Sequence, residues 1–371
     1  MKSVTKTLAL RQAHRSVVHS STANSSEDNG DNFIMELPQK MNFTTLVHQD
    51  LESSPERNVD IVFDGYGIPV TQSNDRTYET AQVPMLDGRK LATSLDKEGI
   101  VLSSHCYPHV DYYDHKSVLQ SYYPELQQHI QQLIPCARRV IVFHHQVRSW
   151  RKSVIAKVGD IIEKERSSVL LQRPKDPVCF AHSDYSLKGG ISRLQSFGQS
   201  PLPRDSWGYS TLGRPLLTDD EVNHFSSTGD FMILHAWRNI AIEKLRQHPL
   251  ALCCSDSVNE NDLLAYDLCY PDRKEGVMAV RYNQRQKWLY HKDLDRDELL
   301  LFKQYDTRST IMKKHNRISG HSSKCDEHHS FTSCFTPHSS FLEARARDEQ
   351  SDDTHYDGRE SIEAAVLVLL S

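Results

Sequence analysis

The feature that most constrains this chain is a succession of short apolar segments in its second half, with turn residues between them. Residues 230–237, 249–254, 276–283, 286–291, 298–305 and 361–370 are each rich in Val, Ile, Leu, Phe, Tyr or Trp. Runs of that length and composition, bounded by turn signals such as Asp272-Arg273 and Tyr282-Asn283, read as strands. Many such strands in series predict a β-sandwich, barrel or jelly roll. Ahead of them, Leu119, Tyr122, Tyr123, Leu126, Ile130 and Leu133 recur at helical spacing, so residues 116–134 are expected to form a helix stopped by Pro135. The β-branched run 139–147 predicts a strand directly after it. Thr218 and Glu221 have capping-box spacing, and Asp219 and Asp220 suit a first helical turn, predicting a helix over 218–226. Helices early and strands late make the expected class α+β.

The remaining organisation follows from composition. A chain of 371 residues can bury one large β-rich domain. Residues 1–40 are polar and turn-rich and are read as a disordered tail, leaving 41–371 as a single domain. Within it, a helical part spans about 90–135 and a β core about 138–371. Residues 195–217, rich in Gly, Pro and Ser, read as a long loop. Residues 307–334 are neither periodic nor apolar and read as a disordered insertion or as translated non-coding sequence.

Several function classes lose their support. A net charge of −5 makes no electrostatic case for nucleic acid or an anionic membrane. No run of about 18 apolar residues is present, so no transmembrane helix is expected. Eight cysteines without a CxxC pair point to reduced thiols and a cytoplasmic protein. The basic, acid-free stretch 1–26 is also compatible with a mitochondrial transit peptide, the alternative to the tail reading. Phosphate-binding glycine loops and a GxSxG elbow are absent from the sequence.

One motif carries chemistry. His182 and Asp184 stand two residues apart, and on an extended chain i and i+2 share a face, so both could bind one metal. A third ligand from a distant strand would complete a two-histidine, one-carboxylate face of the kind suited to non-heme iron. A rival cluster, His321, Cys325, His328, His329 and Cys334, has zinc-ligand residue types but lacks the apolar residues of a zinc module. His144 and His145 are adjacent and must point to opposite faces of a strand, so they are read as structural or exposed.

A set of uncommon words in fixed order adds to this. They are Ser94-Leu-Asp-Lys-Glu-Gly-Ile100, Tyr122-Tyr-Pro-Glu125, the run from Arg139 to Arg148, His182-Ser-Asp-Tyr185, Trp237-Arg238, Pro249-Leu-Ala-Leu-Cys253, Asp267-Leu-Cys-Tyr-Pro-Asp-Arg273, Glu298-Leu-Leu-Leu-Phe-Lys303, Phe335-Thr-Pro-His338 and Arg359-Glu-Ser-Ile-Glu363. From about residue 43 to its end the chain resembles the hydroxylase/desaturase family of fungal secondary metabolism, which includes gibberellin-desaturase-like proteins and a cephalosporin methoxylase-associated subunit.

The resemblance implies an Fe(II)- and 2-oxoglutarate-dependent oxygenase on a double-stranded β-helix (jelly-roll, cupin-like) core with flanking helices. Its substrate would be a small secondary metabolite or precursor, hydroxylated or desaturated with O2. It implies His182, Asp184 and His338 as iron ligands and Arg359 as the clamp for the distal carboxylate of 2-oxoglutarate. Tyr185, Arg193, Arg148, Trp237 and Arg238 are candidates for the pocket lining. The chain departs from the family pattern at His235-Ala-Trp-Arg-Asn239, where Asn-Val-Trp-Arg-Pro is usual, and in the length of 307–334, which runs up to His338. These departures keep open a second reading, a noncatalytic jelly-roll accessory protein.

Overall fold

A computed structural model describes residues 39–44, 61–63, 69–71, 78–107, 110–149, 177–202, 205–208, 213–270, 273–313, 334–341 and 358–371. All belong to one compact unit, Phe33–Ser371. Strands β1 (Gln39–Thr44), β2 (Ile61–Phe63), β3 (Pro69–Thr71), β4 (Tyr78–Val83), β5 (Met85–Asp87) and β6 (Ile100–Ser104) come first. Helix α1 (Tyr123–Leu133), β7 (Ala137–Ser149), β8 (His182–Ser183), α2 (Leu187–Ser196) and α3 (Asp219–Ser227) follow. The series ends with β9 (Phe231–Asn239), β10 (Leu250–Cys253), β11 (Leu263–Cys269), β12 (Lys274–Val280), β13 (Trp288–Tyr290), β14 (Glu298–Asp306), β15 (His338–Ser340) and β16 (Glu360–Leu370).

The content is α+β, with strands dominant. A five-stranded sheet runs β6-β14-β9-β16-β7 and a nine-stranded sheet runs β3-β2-β11-β12-β8-β15-β10-β13-β5. Alternation sorts their side chains. On β16, Leu367 and Leu369 join a core shared with Ala251, Met278, Val280 and Trp288 of the other sheet. Ile362, Ala364, Val366 and Val368 face the opposite way, onto Tyr123, Leu126 and Ile130 of α1. The strand is therefore apolar on both faces, which explains its unbroken hydrophobic run.

Sequence expectations meet the structure closely at β7, β9, β10, β12, β13, β14 and β16. The capping box forms as expected, with Thr218 accepting from the Glu221 backbone and Glu221 returning to Thr218. The helix expected over 116–134 is helical from His115 to Leu133, but Val118–Tyr122 form a π-turn. Leu119, Tyr122, Tyr123, Leu126 and Ile130 are buried as expected, whereas Leu133, the last helical residue, is 39% exposed.

Other expectations need correction. Gln39 and Lys40, assigned to the tail, open β1, where they pair with Val83 and Gln82. Residues 1–38 lie outside the described residues. Of the expected insertion, Thr307–Lys313 continue from β14 into a helical turn that buries Ser309 and Met312, and Cys334 is also buried. Residues 314–333, with His321, Cys325, His328 and His329, lie outside the described residues. Two residues of the expected loop 195–217 belong to α2. The described cysteines are all free. Among the described residues no helix is long and apolar enough to cross a membrane.

Candidate metal centre

β8 is only two residues long, yet it sits between β12 and β15 and sets the site. His182 pairs directly with His338 across the β8–β15 ladder, so both imidazoles leave the sheet on one face, ring centroids 4.3 Å apart. Two residues on, Asp184 brings its carboxylate to the same place: Oδ1 lies 3.5 Å from His182 Nε2 and Oδ2 lies 3.7 Å from His338 Nε2. The chain then turns into α2, whose N-cap Ser186 accepts from the Gly189 backbone.

Both histidines have their far nitrogen engaged by backbone. His182 Nδ1 lies 2.9 Å from the Phe180 carbonyl, and His338 Nδ1 lies 3.4 Å from the Thr336 carbonyl. A carbonyl can only accept, so His182 Nδ1 donates there, while His338 Nδ1 also lies 3.5 Å from the Gln304 amide nitrogen; both Nε2 atoms are turned toward Asp184. Burial, then the neighbouring His182, holds the His338 imidazole down at about 3, so it is neutral at ordinary pH. Burial pushes the Asp184 carboxyl up, but His235, His338, His182 and Arg148 outweigh it and hold the group at about 2. An anionic Asp184 carboxylate and a neutral His338 imidazole are protonation states that a divalent ion requires. The ligand atoms of His182, Asp184 and His338 lie within 4.8 Å of one another, a spread that a single ion can fill.

Gln304, which the sequence reading did not single out, braces this arrangement. Its Oε1 accepts from the Asp184 backbone N–H (2.9 Å) and from Ser183 Oγ (3.3 Å), and its Nε2 donates to the Thr336 carbonyl (3.1 Å). The side chain is fully buried. It reaches across from β14, where the register shifts between Lys303 and Tyr305.

Arg359 immediately precedes β16 and is buried. Its Nε donates to Ser361 Oγ (2.9 Å), its Nη1 to the His248 carbonyl (3.1 Å), and its guanidinium lies over the Trp237 ring. Among the described residues no carboxylate forms an ion pair with it. Burial, then Arg148, lowers its pKa to about 9, while Glu363 opposes the shift. Among the described residues this buried cation is held by neutral acceptors. His248 adopts φ 49° to present that carbonyl, a conformation uncommon outside glycine.

The other pocket candidates separate by face. Trp237 points between the sheets and is fully buried. Arg148 lies opposite Ser361 in the β7–β16 ladder, and its charge favours ionised Asp184 and Glu363. Tyr185 packs edge-on to His235 at 6.4 Å, its phenol pushed up by burial. Arg193 is committed elsewhere, 2.9 Å from Asp205 and over the Phe143 and Phe197 rings. Arg238 is a correction: following Trp237 on β9, it projects from the opposite face, toward Tyr112 Oη at 3.3 Å and over Tyr122. His145 is structural, its Nδ1 2.9 Å from Tyr123 Oη, while His144 on the other face meets Ser206.

Comparison with known proteins agrees with this geometry. A family model described as an oxidoreductase/YMDC permease-like domain matches residues 41–204 and 213–330. The hydroxylase/desaturase efuI of Hormonema carpetanum is 27% identical over 74% of this chain and 78% of its own length. The alpha-ketoglutarate-dependent dioxygenase phiK of Fungal sp. (strain ATCC 74256) is 25% identical over 63% of this chain and 73% of its own. Among solved structures, the iron and alpha-ketoglutarate-dependent endoperoxidase NvfI superposes with a TM-score of 0.61 at 15% identity, covering 92% of this chain and all of that one. At that identity the likeness speaks for the fold.

Proposed function

The chain belongs to the oxidoreductase/YMDC permease-like domain family, and from that premise we propose that it is an Fe(II)- and 2-oxoglutarate-dependent oxygenase with a double-stranded β-helix core. Its substrate is a small secondary metabolite or precursor, which it hydroxylates or desaturates. The names of its relatives, hydroxylase/desaturase and alpha-ketoglutarate-dependent dioxygenase, support this reading. The observation that carries it is a two-histidine, one-carboxylate face together with a buried arginine that, among the described residues, pairs with no carboxylate.

In this reading His182, Asp184 and His338 would hold the ferrous ion. Bound there, iron with 2-oxoglutarate and O2 supplies an oxidant strong enough to remove hydrogen from an unactivated C–H bond, with succinate and CO2 as coproducts. The chain's own residues do the positioning. Arg359 receives the distal carboxylate through its planar fork, with Ser361 and the His248 carbonyl fixing the fork's direction. Trp237 packs under that guanidinium and keeps water from it. Tyr185 and Arg148 face the space next to the ligands, where a substrate would lie.

The test is an anaerobic titration of the metal-free protein with Fe(II) and 2-oxoglutarate. A weak visible charge-transfer band that saturates stoichiometrically supports the reading. A folded protein that binds Fe(II) and 2-oxoglutarate without such a band would favour the noncatalytic alternative.

A further inference from the structure

We propose that His235, His338 and Glu363 form a second metal position, able to hold a divalent ion without His182 or Asp184. It rests on the metal-centre reading of His338 but not on 2-oxoglutarate or on catalysis.

The ligand atoms of these three side chains also lie within 4.8 Å of one another, as compact a set as the first. An ion on the order of 2 Å from each donor accommodates that spread. His235 is buried, with 5% of its surface exposed, and its Nδ1 has no hydrogen-bond partner. That nitrogen nonetheless lies 3.3 Å from Asp184 Oδ2 and 3.5 Å from Glu363 Oε1. A buried nitrogen facing two carboxylates without a hydrogen bond is left unsatisfied, and a cation bound there would give it a partner. Packing supports the arrangement. Glu363 sits on the inner face of β16, opposite Trp237 of β9, and His235 lies opposite Ala365, whose small side chain leaves the imidazole room.

The two sets differ in what they join. His182, Asp184 and His338 all come from the nine-stranded sheet or its immediate continuation. His235 and Glu363 come from β9 and β16 of the five-stranded sheet, so an ion in the second position ties one sheet to the other. His338 is common to both, and its Nε2 has one lone pair, so the positions exclude each other and one ion is held at a time. The first position leaves His235 and Glu363 without metal; the second leaves His182 and Asp184 without it.

The experiment uses the His182→Ala/Asp184→Ala double variant of the full chain, titrated with Co(II) in the absence of 2-oxoglutarate and followed by its visible ligand-field bands. We expect stoichiometric binding that raises the melting temperature, and loss of both effects when Glu363→Ala is added. A folded double variant that binds no Co(II), or binding indifferent to Glu363→Ala, would overturn the proposal. Should the double variant not fold, Asp184→Asn, nearly isosteric, poses the same question against Asp184→Asn/Glu363→Ala. The outcome is separable from the proposed function. Co(II) retained by the variant with no charge-transfer band in the wild type would sink the oxygenase reading and leave the second position standing. The band present with no Co(II) retained would do the reverse.

Discussion

The side-chain oxygen of Gln304 accepts the backbone N–H of Asp184 at 2.9 Å, and the same amide donates to the Thr336 carbonyl two residues before His338. One buried side chain thus fixes two parts of the metal centre that are far apart in sequence. Gln304→Ala should lower metal affinity by roughly 10–100-fold, the usual scale for losing an outer partner of a metal ligand. It should also cost about 1–3 kcal/mol, because a buried N–H and a buried carbonyl lose their partner. Metal titration and chemical denaturation measure the two effects. Unchanged metal affinity would mean that the ladder alone holds Asp184.

Arg359→Ala should raise the 2-oxoglutarate concentration needed for half-saturation. A hydrogen bond to a charged group contributes roughly 1.5–3 kcal/mol, about 10–150-fold in affinity. Arg359→Lys should recover part of this, since it restores the charge without the fork. Equilibrium binding of 2-oxoglutarate at fixed metal checks it, and wild-type affinity in Arg359→Ala would exclude the clamp.

The fold should lose stability on mild acidification, even without metal. Burial, then His115, holds His145 at about 3 against an ordinary 6.5. Burial, then Arg89, holds His291 at about 4. Between those values and 6.5 the unfolded chain binds more protons than the folded one, so stability rises with pH across that window and falls as pH drops. Asp184, held at about 2 against 3.8, acts in the same direction at lower pH. Melting temperature against pH should show the decline, with a shallower slope in His145→Gln. Equal slopes would remove His145 from the explanation.

Gly190→Ala should loosen the helix that follows Asp184. A Cβ at Gly190 would lie 2.3 Å from the Tyr305 ring, which is itself tied to the Leu187 carbonyl by its hydroxyl at 2.8 Å. Crowding of this kind typically costs about 1–3 kcal/mol. Thermal or chemical denaturation measures it, and an unaffected variant would show that α2 can shift freely.

Much of this protein was legible along the chain. β7, β9, β14 and β16 announce themselves because strands buried on both faces carry unbroken apolar runs. The Thr218–Glu221 cap is local chemistry and needs no tertiary context. His182 and Asp184 were legible for a similar reason, since i and i+2 on an extended segment share a face whatever surrounds it. α2 was not legible: Gly189 and Gly190 weaken it as an isolated helix, and its packing against Tyr305 and Gly276 is what requires them.

Sequence alone therefore determined the class of the fold, seven of its sixteen described strands and the residue types of the metal face. These follow from hydrophobic period and short-range spacing, which the backbone imposes locally. Tertiary structure alone decided which distant groups meet those residues. It placed Gln304 behind Asp184, seated Arg359 against Ser361 and the His248 carbonyl, turned Arg238 away from the site, and brought His235 and Glu363 within reach of His338. Those relations depend on strand register and on how one sheet lies over the other. A one-residue slip in either reverses every face, and no local signal in the chain encodes it.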